Sequence, residues 1–258
     1  MARPQRLTPS LRERVWGRKN LAPWFPDAEK PIGEAWYLAD CELSLLVKML
    51  FTSDRLSVQV HPDDGEDGER GKTEMWHIVE AAPDAAIALG FREPISRERL
   101  LDSTKTGEIE QLLNWVPVRA GETYFVPAHT VHAIGAGIVL FEIQQNSDVT
   151  YRLWDYGRPR EIHIDKAVPI ADLGMHAGAA TPDGRGMGRW ELVRSKHFVT
   201  ELIEGPFVAE PEKCQLIICM KGAGRIGGEE FQAGEVWMPP NEATAVEGDG
   251  RFLRTFAP

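Results

Sequence analysis

Leu56-Ser-Val-Gln-Val-His61 alternates along its length, with Ser57, Gln59 and His61 on one face of an extended chain and Val58 and Val60 on the other. A period of two predicts a strand with one polar and one apolar side. Short apolar runs recur at 45–51, 75–79, 85–90, 124–126, 138–143, 198–203, 215–220 and 252–256, with Gly, Pro, Asp and Asn between them. Strands at that spacing predict a sandwich or barrel. Two helical patches interrupt the pattern. Residues 96–102 open on Ser96 as an N-cap, and 107–114 place Ile109, Leu112 and Leu113 on one stripe. The expected fold is mainly β with a few short helices.

A weak internal repeat organises the chain further. Gly121-Glu-Thr-Tyr-Phe-Val-Pro127 resembles Gly234-Glu-Val-Trp-Met-Pro-Pro240, each a Gly-Glu pair leading an apolar strand into Pro. Residues 173–189, rich in Gly and Ala, read as a linker or long loop. Two barrels of one kind are therefore expected, an N-terminal one over 1–172 and a C-terminal one over 188–258. Aligning the repeats puts Pro240 on Pro127 and Ala245 on His132, or Thr244 after a slip of one residue. Neither is an ordinary metal ligand, so the second barrel is expected to be structural.

The polar face of the 56–61 strand carries a carboxamide and an imidazole spaced to reach one point. Glu74 in Gly71-Lys-Thr-Glu-Met-Trp76 and His132 in Val126-Pro-Ala-His-Thr-Val-His-Ala-Ile-Gly135 complete a set. Gln59, His61, Glu74 and His132 suit one Zn²⁺ or a similar divalent ion, with room left for water or substrate. The other histidines, His77, His163, His176 and His197, have ordinary structural readings. A net charge of −10 argues against nucleic acid or an anionic membrane as partner, yet leaves space for a local basic pocket. Hydrophobic content of 43% supports a packed core. Cys41, Cys214 and Cys219 form no CxxC and read as reduced packing residues. The start Met-Ala-Arg-Pro-Gln-Arg lacks an apolar signal region and no run has membrane-spanning length, so a cytoplasmic protein is expected.

Six blocks in order carry a family resemblance: Leu45-Leu-Val-Lys-Met-Leu50, Leu56-Ser-Val-Gln-Val-His-Pro-Asp-Asp64, Gly71–Trp76, Tyr124–Gly135, Phe141-Glu-Ile-Gln-Gln-Asn-Ser-Asp-Val-Thr-Tyr-Arg152 and Pro159-Arg-Glu-Ile-His163. With Val15-Trp-Gly17 and Gly33-Glu-Ala-Trp36 they resemble the type I mannose-6-phosphate isomerases, in particular short bacterial members, which have the cupin (jelly-roll) fold. The resemblance implies two cupin-type barrels and a phosphorylated sugar as small-molecule partner. It also implies aldose–ketose isomerisation through a cis-enediol. By that resemblance Arg152 stabilises enediolate charge and Glu142 is the candidate for proton transfer, with Lys72 also open for that role. Phosphate falls to Lys72, Arg158 and Arg160. Two departures stand out. His129 replaces the family's usual Gly just before the ligand His, which predicts strain at positive φ and a second imidazole near the metal. The segment from 62 to 73 is also shorter than usual, which touches substrate-loop contacts. Rival readings are an isomerase of another aldose, a non-catalytic sugar-binding cupin, and an Fe²⁺ oxygen-using cupin.

Overall fold

The computed structural model describes residues 2–68 and 70–258. It is mainly β and cupin-like, with strands pairing antiparallel in three sheets. A six-stranded sheet runs Thr8–Arg18, Ile32–Leu38, Leu45–Phe51, Ile138–Gln145, Glu74–Ala81, Thr123–Val126 in spatial order. A five-stranded sheet runs Tyr151–Trp154, Val58–Val60, His132–Ile134, Ala86–Phe91, Leu113–Pro117. The C-terminal half forms a nine-stranded sheet around two long strands, Lys213–Ile226 and Thr244–Ala257.

The two smaller sheets face each other as the N-terminal barrel. Leu50, Ile78, Tyr124, Val126 and Leu140 on one sheet meet Ile87, Leu89 and Ile134 on the other in a single apolar cluster. The outer face of the six-stranded sheet is buried as well. Val47, Met49, Phe51, Phe141 and Ile143 pack there against Phe198, Leu216, Ile218 and Leu253 of the nine-stranded sheet. Burial on both faces explains why Leu45-Leu-Val-Lys-Met-Leu-Phe51 is a nearly unbroken apolar run rather than an alternating one. Each such side chain removed from water contributes roughly 1.5–3 kcal/mol. The outer face of the five-stranded sheet carries Val58, Val60, Phe91 and Leu153, covered by Leu100, Ile109 and Ala167 of three short helices.

Local sequence accounts for most boundaries. Ser96 caps the helix Arg97–Thr106 by accepting from the Arg99 N–H at 3.1 Å, and Gly107 ends it at φ 81°. The helix expected over 107–114 shrinks to Ile109–Leu112, because Leu113 turns extended (φ −67°, ψ 144°) and enters a strand. A third helix, Ile164–Ile170, had no sequence signal strong enough to predict it. The strand Thr8–Arg18 has no alternating signature in sequence either. It is an edge, and its Arg, Glu and Pro content hides the period. The Gly-Glu repeat is real in structure: Gly121 and Gly234 both adopt positive φ, 92° and 89°, before strands Thr123–Val126 and Val236–Met238.

The two halves share hydrogen bonds and core. Gln5–Arg6 pairs with Val236–Met238, and Tyr37 Oη donates to the Gly234 carbonyl at 2.6 Å. Asp183–Gly186, inside the expected linker, is a strand of the nine-stranded sheet. Hydrogen bonding thus adds Gln5–Arg6 and Asp183–Gly186 to the C-terminal unit, beyond the sequence division at 1–172 and 188–258.

Candidate active site

Two rows of directly opposed residues build the site inside the N-terminal barrel. Across the six-stranded sheet, register aligns Trp36, Lys48, Glu142, Trp76 and Tyr124 on successive strands. Across the five-stranded sheet it aligns Arg152, Gln59, His132 and Leu89. Side chains in register share a face, so each row presents its polar groups to the barrel interior. The rows meet where the Trp76 ring stands edge-on to His132, centroids 5.4 Å apart.

His61, Glu74 and His132 bring one donor atom each within 4.8 Å of one another, all three buried. Each imidazole is oriented from behind: His61 Nδ1 donates to the Val149 carbonyl at 2.9 Å and His132 Nδ1 to the Thr130 carbonyl at 2.8 Å. That leaves both Nε2 lone pairs facing inward, the arrangement metal-binding histidines use. Glu74 Oε1 and Oε2 lie 3.5 and 3.6 Å from these nitrogens, and neither oxygen has a hydrogen-bond partner. Lys72 Nζ is near Glu74 Oε2, at 3.2 Å, without hydrogen-bonding alignment. Gln59 Nε2 is 3.2 Å from His132 Nε2. A buried carboxylate without a hydrogen-bond partner, beside two inward imidazole nitrogens, is a donor set able to hold a divalent cation. Residues and metal fit.

Electrostatics agree. Burial pushes Glu74 up to about 7, the Glu142 charge adds to this, and Lys72 and Lys48 oppose it. Burial drives His132 down to about 4 and His61 well below its usual range, helped there by the Lys72 charge, so both are neutral and able to ligate. Glu142 behaves oppositely. Burial would raise it, but Lys48 and Lys72 hold it below the usual carboxylate range. Its Oε1 accepts from Lys48 Nζ and its Oε2 from Trp76 Nε1, both at 3.1 Å.

A cavity opens over this arrangement, lined by Gln59, Lys72, Lys48, Glu142 and Arg152, and by Arg14, Glu34, Asp148 and Arg160. Five cations face three carboxylates there, on a chain whose net charge is −10. Arg152 Nε is buried without a hydrogen-bond partner, and the Arg152 backbone exchanges hydrogen bonds with His163 at 3.1 and 2.8 Å. Arg160 is anchored by two 2.6 Å bonds to Asp155. Arg158 is placed differently from its neighbour. It does not line the cavity, pairs with Asp155 at 2.8 Å and donates to the Arg55 carbonyl, so we leave it out of the site. The Lys72 side chain is buried 3.1 Å from His61 Nε2, rather than solvated on its loop.

His129 does take positive φ, 72°. Its ring bonds Glu66 at 2.8 Å, and Glu66 also accepts from the Asp63 N–H, so His129, Glu66 and Asp63 are tied together. His77 bonds Thr123 Oγ1 and His176 the Phe125 carbonyl, both structural roles. A second cluster, Asp63, Asp64 and His197, joins the 62–73 segment to the C-terminal half; there Lys196 neutralises Asp63 and Asp64 accepts from Gly71 and Gln145. Sequence reading passed over Lys48, Trp76, Arg14 and Glu34. The signal for Lys48 was one charge inside an apolar run.

No family model matches the chain. A mannose-6-phosphate isomerase from Streptococcus mutans is 35% identical over 226 residues, 80% of this chain and 71% of the relative. The chain belongs to the mannose-6-phosphate isomerase family. It is an enzyme of that class. The mannose-6-phosphate isomerase ManA of Bacillus subtilis is 44% identical over 140 residues, half of this chain and 44% of the relative. The crystal structure of the Bacillus subtilis mannose-6-phosphate isomerase superposes with a TM-score of 0.88 at 26% identity, covering 98% of this chain and 99% of that one. The isomerase fold thus extends across both halves, including the C-terminal half where family wording is faint. Among the described residues no helix is long and apolar enough to cross a membrane.

Proposed function

We propose that the enzyme interconverts mannose 6-phosphate and fructose 6-phosphate, with a divalent cation, Zn²⁺ by donor type, held by Gln59, His61, Glu74 and His132. The observation that carries this reading is one cavity lined by Gln59 of that donor set, by Lys72 beside His61 and Glu74, by a clamped carboxylate and by three arginines. Isomerisation moves one proton from C2 to C1 and another from O2 to O1 through a cis-enediol, so it balances without a redox partner. When bound, the cation supplies Lewis-acid polarisation of the sugar oxygens.

The chain's own residues do the rest. Glu142, kept anionic by Lys48 and Trp76, takes the C2 proton and returns it at C1. Lys72, charged and buried among the ligands, serves the proton exchange at the oxygens. Arg152 faces the developing enediolate with a permanent charge and an unused Nε donor. Arg160, held rigid by Asp155, grips the phosphate together with Arg14. Sugar phosphates do not cross bilayers, and we place the enzyme in the cytoplasm accordingly. Among the described residues the clusters able to hold a metal draw no ligand set from the C-terminal half alone, which supports a structural role for 188–258.

Steady-state rates on mannose 6-phosphate, other aldose 6-phosphates and free mannose test the substrate. Highest kcat/KM on mannose 6-phosphate is expected, with free mannose lower by a factor on the order of 10³, as losing a charge-assisted phosphate grip implies. A higher kcat/KM on another aldose phosphate would move the substrate and keep the chemistry.

A further inference from the structure

We infer that Trp76 is a positioning residue that fixes Glu142 against the ligand histidine His132, a role that rests on the reading of Glu142 as the proton-transfer group. Trp76 is fully buried and lies directly across from Glu142 in the register of the six-stranded sheet, with Lys48 directly across on the other side. The carboxylate is therefore held from both flanks by neighbours on adjacent strands. Lys48 donates to Oε1 and Trp76 Nε1 to Oε2, both at 3.1 Å.

The two donors differ in kind. Lys48 supplies charge from a flexible stem, and a single contact of that type leaves the carboxylate free to turn about its own bond. The indole N–H is neutral, planar and locked by packing, so it sets the plane of the carboxylate and which oxygen lone pairs face the cavity. A proton acceptor works only within a narrow range of approach, and a displacement of about 1 Å can cost roughly a hundredfold. The same ring also meets His132 in a T-shaped contact, centroids 5.4 Å apart at 69°, while His132 is held behind by the Thr130 carbonyl. One rigid side chain thus spaces the acceptor carboxylate from the ligand imidazole. The ordinary alternative is that Trp76 fills the barrel core, where it packs with Ile78, Tyr124 and Leu140. Filling space requires no N–H aimed at a carboxylate.

Trp76→Phe keeps the ring and removes the donor. Trp76→His keeps a ring N–H in a smaller side chain that packs less well. Placement of Glu142 predicts opposite orders for the two variants: kcat higher in the His variant, unfolding midpoint higher in the Phe variant. For Trp76→Phe the expected result is kcat down about tenfold, KM within about twofold and bound metal unchanged. In a Glu142→Asp background, where the carboxylate no longer reaches the indole, Trp76→Phe should add less than about twofold. An unchanged kcat in Trp76→Phe would overturn the inference, as would an equal further loss in the Glu142→Asp background or activity that follows stability across both variants. Full activity of Glu142→Ala would instead remove the Glu142 reading beneath it.

Discussion

Lys48 Nζ stands 3.1 Å from Glu142 Oε1 with the two side chains 2% and 5% exposed. Lys48 also lies over the Trp36 ring, 4.5 Å from its centroid, so its charge is met from two directions. A buried ion pair is a weak contributor to stability, since desolvating both partners offsets most of the attraction, but removing one partner strands the other. Its place is explained by what it does to Glu142, which it keeps ionised inside the barrel.

Lys48→Met should therefore cost both stability and rate. The expected stability loss is roughly 3 kcal/mol, read from urea unfolding, with the Lys48→Met/Glu142→Gln double variant losing clearly less. The kcat should fall about a hundredfold with metal content intact. Full activity in Lys48→Met would remove the pair from the mechanism.

Lys72 and His132 separate chemistry from metal binding. His132→Ala removes a proposed ligand and should lose both metal and turnover. Lys72→Met removes a cation 3.1 Å from a ligand nitrogen, so metal should bind at least as tightly while turnover falls by two orders of magnitude or more. Metal content by elemental analysis beside kcat reads both. Stoichiometric metal in His132→Ala would strip it of its ligand role, and loss of metal in Lys72→Met would make Lys72 a ligand-ordering group.

The neighbouring arginines give an internal contrast. Arg160→Ala should raise KM for mannose 6-phosphate about tenfold while kcat changes little, because it loses a charge-assisted phosphate contact. Arg158→Ala, outside the cavity, should leave both parameters within about twofold. Equal effects on KM would mean that the cavity lining does not separate them.

His77 predicts how acid weakens the fold. Burial, and then the Arg251 charge, bring it from 6.5 down to about 4. Its folded value is depressed, so unfolded chains bind a proton that folded ones refuse. Stability is full above about pH 6.5 and declines as pH falls toward 4. Between pH 7 and 5 the loss from this one group is roughly 2 kcal/mol. Urea unfolding of His77→Gln, which cannot titrate, should show a correspondingly shallower decline. Identical pH dependence in both proteins would refute it.

The grouping of His61, Glu74 and His132 was legible because strand alternation puts Gln59 and His61 on one face, and because Glu74 and His132 sit in distinctive blocks. Strand existence was legible from short apolar runs bounded by turn residues; strand 45–51 matches its expected span. What escaped depended on partners far along the chain. Trp76 read as an apolar strand residue because its importance lies in Glu142, 66 positions away. Arg14 enters the cavity from an edge strand whose register shifts between Glu13 and Arg18, a distortion without a local sequence marker. Arg158 and Arg160 look alike in sequence, and the geometry around Asp155 separates them. His129 kept its strained φ, but its ring found Glu66 instead of the metal side, because the short segment brings that carboxylate to it.

The most direct measurement is formation of fructose 6-phosphate from mannose 6-phosphate, followed by a coupled assay on chelated enzyme and again after adding Zn²⁺. The account predicts turnover that vanishes on chelation and returns with about one metal per chain. Undiminished turnover in enzyme shown to hold no metal would contradict the assignment of Gln59, His61, Glu74 and His132, and no turnover in either state would contradict the substrate.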